Sequence, residues 1–178
     1  LDTLADGDPD LGAVNDLEAS LLAVGVQLQR HRRGAISAGL AELDAELQAR
    51  QEGQGAGEAL FVIVFGGDRI PRATTFDVLT GVRPLDTLHT IWREGAPLGV
   101  HLLGWWGTPK IYRDHTVNYG VDGLVDVVMM FRVPPDAVID TFGPFVSWTS
   151  PECRSLVRDV RLAPEPTVLV PPRPAGGI

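Results

Sequence analysis

Apolar residues along this chain follow two alternating rhythms. Ile36, Leu40, Leu43 and Leu47 recur at offsets of four, three and four, which places them on one stripe of an α-helix. Glu42, Asp44, Glu46 and Arg50 fall mostly off that stripe, so a surface helix is predicted over about 35–51. The Gly-rich segment 52–58 ends it as a flexible loop. Residues 59–65 (ALFVIVF) form an unbroken apolar, β-rich run that stops at Gly66-Gly67. Such a run predicts a strand buried on both faces, as in a parallel sheet covered by helices. Beyond the turn-prone Thr80-Gly81, a second helix is predicted over 83–94. Buried strands follow at 100–106 (VHLLGWW) and 125–133 (VDVVMMFRV), the latter halted by Pro134-Pro135. Shorter strands are predicted at 155–159 and 167–170, before a Pro-rich end, 171–178, that reads as a linker or frayed terminus.

The pattern is weaker before residue 34. Residues 1–12 are acidic and rich in turn formers, which predicts a loosely ordered lead-in. Leu17, Leu21, Val24 and Leu28 fit a helical face, while Val24, Val26 and Leu28 alternate with Gly25, Gln27 and Gln29 like a strand. The reading adopted is a short helix running into a strand near 23–29. The predicted organisation is thus a lead-in (1–33), a single α/β domain (34–170) and a tail (171–178). Alternation of helices with buried strands predicts a layered α/β fold with a mostly parallel central sheet flanked by helices.

Composition narrows the function classes. With 178 residues, 44% of them hydrophobic and 21% charged, the chain suits one domain with a sizeable core. No apolar run reaches the ~18–20 residues of a membrane-spanning helix, so membrane insertion by this chain is not expected. The first residues contain no Met, basic n-region or apolar h-region. They carry no visible signal peptide, and a start without Met reads as a fragment or a processed chain. Cys153 is the only cysteine, which excludes an intrachain disulfide and makes a reducing, cytoplasmic compartment the expectation. A net charge of −8 opposes non-specific contact with a phosphate backbone. Arg30, Arg32 and Arg33 with His31 form the one basic cluster, either a contact for an acidic partner or a solvated face.

One stretch carries a family resemblance. Trp92-Arg93-Glu94-Gly95-Ala96-Pro97-Leu98-Gly99-Val100-His101-Leu102-Leu103 resembles the approach to the strand after Walker B in ATPases of the FtsK/SpoIIIE type. The helical segment 34–50 is similar to that family's helix before Walker B, and residues 60–65 stand where its Walker B strand would. Val128-Met129-Met130-Phe131-Arg132-Val133 and Arg154-Ser155-Leu156-Val157-Arg158 resemble its later strands. The likeness follows order and spacing over roughly 34–170. It implies a RecA-like fold, the C-terminal half of a motor domain, and partners that are other domains or subunits of a ring-forming motor. DNA contact is implied only through that assembly, with transport of DNA or protein by intact sister domains.

The departures from the family pattern bear on catalysis. A P-loop needs glycines followed by Lys-Ser or Lys-Thr to hold phosphates; the one lysine here is Lys110, after a proline. Walker B needs a carboxylate at the end of its strand to organise Mg²⁺ and water; that position holds Phe65, and the first acid is Asp68. The chain alone is therefore expected to use no cofactor and hydrolyse no ATP; ATP and Mg²⁺ enter only if a Walker A segment lies upstream. Within the resemblance, Asp68 and Arg69 are either a shifted metal or nucleotide contact or an exposed ion pair. Thr108 stands near where the family's strand meets the γ-phosphate. Arg93 is either an arginine acting in trans on a neighbour's phosphate or a helix-end charge. Phe65 is expected to pack against Trp105 or Trp106 and fill the nucleotide end of the sheet.

His31, His89, His101 and His115 match no metal-ligand spacing, and Cys153 has no base nearby in sequence. Trp105 and Trp106 could stack on bases, yet neighbours on a strand face opposite sides, so at least one belongs in the core. Three function classes follow. The first is a degenerate motor domain with a structural or regulatory role. The second is half of an active DNA translocase, and the third an unrelated acidic α/β protein-binding module.

Overall fold

The helical stripe folds as expected. In the computed structural model, which describes residues 1–54, 57–76, 83–149, 154–163 and 165–170, helix α2 spans Ile36–Gln51 and buries Ile36, Leu40 and Leu47. Its last turn is anchored through Arg50, whose guanidinium reaches Glu46 and donates to the carbonyls of Glu58 (3.0 Å) and Leu98 (2.8 Å). Those carbonyls lie just before the two strands that follow. The apolar run becomes strand β1, Leu60–Phe65. It pairs in parallel with β2, Val100–Trp105, in a register that sets Leu60 against Val100 and Phe65 against Trp105.

Between them lies α3, Pro84–Thr90, started by a proline at its first position and by Asp86 accepting the Arg83 N–H. The helix continues as a π turn at Ile91–Gly95 and a short 3-10 turn at Ala96–Leu98 before Gly99 reverses the chain into β2. Leu85, Leu88 and Ile91 are buried. The helix predicted over 83–94 is therefore present, with its last turn widened.

The strands do not have two covered faces. Val62, Val64 and Val100 are buried, but on the opposite face Phe61, Leu103 and Trp105 are 60, 51 and 56% exposed. His101 stacks on Phe61 there, ring centroids 5.2 Å apart. An apolar run identifies a strand; it does not count the layers packed on it.

The larger departure concerns the first residues. Instead of a loose lead-in, residues 1–4 lie alongside β1: Phe65 N–H donates to Leu1 O (2.9 Å) and Thr3 N–H to Phe65 O (3.1 Å). On the other side, Asp2 N–H donates to His31 O and Arg33 N–H to Asp2 O. Asp2 thus forms parallel bridges to both Arg32 and Phe65. The pairing runs 31–33, 1–3, β1, β2, all parallel, with helix α1 (Leu11–Ala23), α2 and α3 in the connections. The strand expected near 23–29 does not form. α1 ends at Ala23, and the Val24 that follows is 76% exposed. All of this belongs to one unit, Leu1–His115, closed by α4 (Pro109–Thr116).

A second unit covers 116–178. Strand β3 (Val127–Met130), helix α5 (Pro135–Phe142), β4 (Ser155–Asp159) and β5 (Thr167–Leu169) match the predicted strands and add a helix. The three strands pair antiparallel in the order β3-β4-β5. Val128, Met130, Val138 and Leu156 form the core, with Phe142 and Trp148 against it. Arg158 closes one side, donating to Thr141 O (3.3 Å) with its guanidinium 5.4 Å from the Phe142 ring centre. The chain is mixed α/β, with a small parallel sheet and a separate antiparallel one. The turn predicted at Thr80-Gly81, Cys153 and the Pro-rich tail 171–178 lie outside the described residues. No helix among the described residues is long and apolar enough to cross a membrane.

Candidate functional site

In open parallel sheets, ligands collect outside the carboxyl ends of the strands. Here that end is formed by the turn after β1 (Gly66-Gly67-Asp68-Arg69), the segment after β2 (Trp106-Gly107-Thr108) and residues 3–8. Three of the predicted site residues lie in these segments. Asp68 Oδ1 accepts the Gly107 N–H (2.9 Å), and Thr108 Oγ1 lies 3.5 Å from Asp68 Oδ2. Arg69 lies between two acids, its guanidinium on Asp8 and its Nε 4.0 Å from the Asp68 carboxylate. A hydrogen bond from the Asp10 N–H and the Arg69 guanidinium hold the Asp8 carboxyl below its usual range, and the same pairing raises Arg69. Arg93 is exposed on the π turn after α3, where its charge acts on His89.

The end of β1 is tied down from both sides. Phe65 is half-buried, and its N–H and C=O both bond to residues 1–3. Thr3 Oγ1 reaches Phe65 O (2.8 Å) and Gly66 O (2.7 Å). Phe65 pairs with Trp105 across the register, and alternation along β1 sets both on the open side of the sheet with Phe61. Trp106 does the covering. Its indole lies where side chains of Gly67 and Gly104 would be: a Cβ on either would fall 2.4 or 2.1 Å from the ring. Glycine is the one residue that leaves this room.

Around Trp106 is an aromatic and imidazole cluster that spacing did not foretell. Trp92 stacks on Trp106 (5.8 Å) and on His89 (5.8 Å), and Tyr112 meets Trp106 edge-on (5.6 Å). Trp106 Nε1–H donates to His115 Nδ1 (3.3 Å), and His89 Nε2 lies 2.7 Å from His115 O. An indole N–H only donates, so His115 Nδ1 must carry a lone pair; a carbonyl only accepts, so His89 Nε2 carries the hydrogen. Both imidazoles are buried, and burial is the main cause holding each below its ordinary pKa. His115 Nδ1 and His89 Nε2 are thus engaged in structural bonds rather than set out for catalysis.

The donor set does not fit a magnesium nucleotide. Phe65 offers no oxygen from its side chain, Asp68 Oδ1 accepts the Gly107 N–H, and Arg69 is paired with Asp8. Among the described residues no group of three or more His, Cys, Asp or Glu is placed to hold a metal ion.

The basic cluster also differs from a solvated face. Arg30 is largely buried, donating to fully buried Asp2 (2.6 and 3.1 Å) and pairing with Glu18. Arg32 bonds Asp6 (2.7 Å). Arg30 pairs with a buried acid and Arg32 with an exposed one, a fact invisible until residues 1–6 are brought beside 30–33. No family model matches the sequence, and no curated protein does.

Proposed function

We propose that this chain is the C-terminal half of a degenerate FtsK/SpoIIIE-like motor domain, RecA-like in layering. In this reading it serves as a structural or regulatory module of a larger ring-forming translocase or secretion ATPase. The observation that carries the reading is the end of β1. Where a working relative needs a Mg²⁺-organising acid, this chain has Phe65, with its backbone bound to residues 1–3 and Trp106 seated over the neighbouring Gly67. Phosphoryl transfer depends on electrostatic stabilisation, and the groups that would supply it are absent or engaged elsewhere. The parallel β1–β2 pair, with α2 before it and the Arg93-Glu94-Gly95 turn leading into β2, supports the family assignment.

A second reading, half of an active DNA translocase, rests on the outer edge of β2. That edge is unpaired among the described residues, and a further parallel strand from upstream would satisfy it. The two readings part on Asp68. In the natural full-length protein, purified with its partners, Asp68→Asn should leave ATP hydrolysis within about twofold of the parent, since a structural acid carries no transition-state charge. A loss on the order of a hundredfold, with the assembly intact by mass photometry, would favour the active motor.

A further inference from the structure

We propose that Trp106 and His115 form a pH-sensitive latch over the carboxyl ends of β1 and β2, opened when the His115 imidazole takes up a proton. The geometry makes the bond conditional. Trp106 Nε1–H points at His115 Nδ1 from 3.3 Å, and the contact exists only while Nδ1 is an acceptor. A proton on that atom sets two N–H groups against each other, turning an attraction into a repulsion inside a site with little water.

Two features concentrate the effect on Trp106. His115 is 6% exposed, so little solvent is at hand to rescue its charge. The indole rests on two glycines and is otherwise held by the rings of Trp92 and Tyr112, contacts that allow it to slide once its polar anchor is lost. The groups facing His115 come from three elements. Asp68, after β1, and Asp114, on α4, favour the imidazolium; His89, on α3, opposes it and is itself disfavoured as a cation by Arg93. Burial outweighs the two acids and keeps His115 neutral at neutral pH. Because the folded value lies below the unfolded one of about 6.5, the stabilising neutral form is fully present above about pH 6.5. It is lost as pH falls through the folded value. Opening uncovers the Gly67–Asp68 turn. That consequence rests on the proposed reading of the site, whereas the latch does not.

The test uses the ¹⁵N-labelled chain and its four indole N–H resonances, one for each tryptophan, with that of Trp106 assigned from Trp106→Phe. Between about pH 7.5 and about pH 5, the Trp106 signal should shift along the titration curve of the His115 ring. Its protection from hydrogen exchange should fall about tenfold or more, while the Trp148 signal, from the second unit, stays in place. His115→Asn keeps an acceptor that does not titrate and should abolish the response; His115→Gln serves the same purpose if the first variant does not fold. A Trp106 signal unchanged across this range overturns the latch, as does a response that persists in the Asn or Gln variant. Simultaneous loss of all four signals means global unfolding and overturns it too. No ligand enters the experiment, so its failure is separate from failure of the motor-domain reading.

Discussion

Asp2 has no exposed surface, and its carboxylate is held by Arg30 and by the Leu4 N–H. A buried charge that loses its main partner is costly, so Arg30→Ala is expected to destabilise the fold by about 3 kcal/mol, with Arg32 Nε left 3.6 Å from the carboxylate. Arg33→Ala, at an exposed site three residues away, is expected to cost less than about 0.5 kcal/mol. Urea melts of the two variants check this; equal midpoints would mean the Asp2–Arg30 pair contributes nothing. Residue-scale chemistry was only half legible in the sequence. That Phe65 rather than an acid ends β1, and that the one lysine follows a proline, can be read directly, because each is a matter of residue identity. That Arg30 is internal, or that Trp106 bonds His115, depends on which distant segments meet, and no local spacing encodes that.

At the scale of elements, the long periodic segments were the readable ones: α2, β1, β2, β4 and β5 fall within a few residues of the predicted bounds. The failures have physical causes. Residues 1–12 carry turn formers and acids, yet backbone pairing of residues 1–3 with β1 and 31–33 overrides that composition. Residues 23–29 alternate like a strand but have no partner to pair with, and α1 simply ends there. The two faces of the β1–β2 sheet should respond differently to substitution. Leu88, wholly buried in α3 beneath the covered face, should cost about 2–5 kcal/mol as Ala. Trp105→Ser, on the open face, should shift stability by no more than about 1 kcal/mol. A large loss for Trp105→Ser in the isolated chain would mean that its face is covered after all.

For the whole molecule, the relevant quantities are net charge and the state of the strand ends. With a charge of −8 and the basic cluster partly neutralised from within, the isolated chain should bind duplex DNA more weakly than about 100 µM at physiological salt. Micromolar affinity that falls steeply with added salt, and is lost on changing Arg30, Arg32 and Arg33 to Ala, would contradict this. The central claim is that the carboxyl end of the parallel sheet, where the proposed function would place a nucleotide, is closed by the fold itself. Thermal melts of the parent and of Phe65→Asp, with and without Mg-ATP at about 1 mM, test it most directly, because any ligand that binds the native state raises its melting temperature. The account predicts that Phe65→Asp melts below the parent by about 1–3 kcal/mol of stability, an acid having been set in a half-buried apolar position, and that neither protein responds to Mg-ATP. A Phe65→Asp variant that melts like the parent and gains several degrees from Mg-ATP would contradict it.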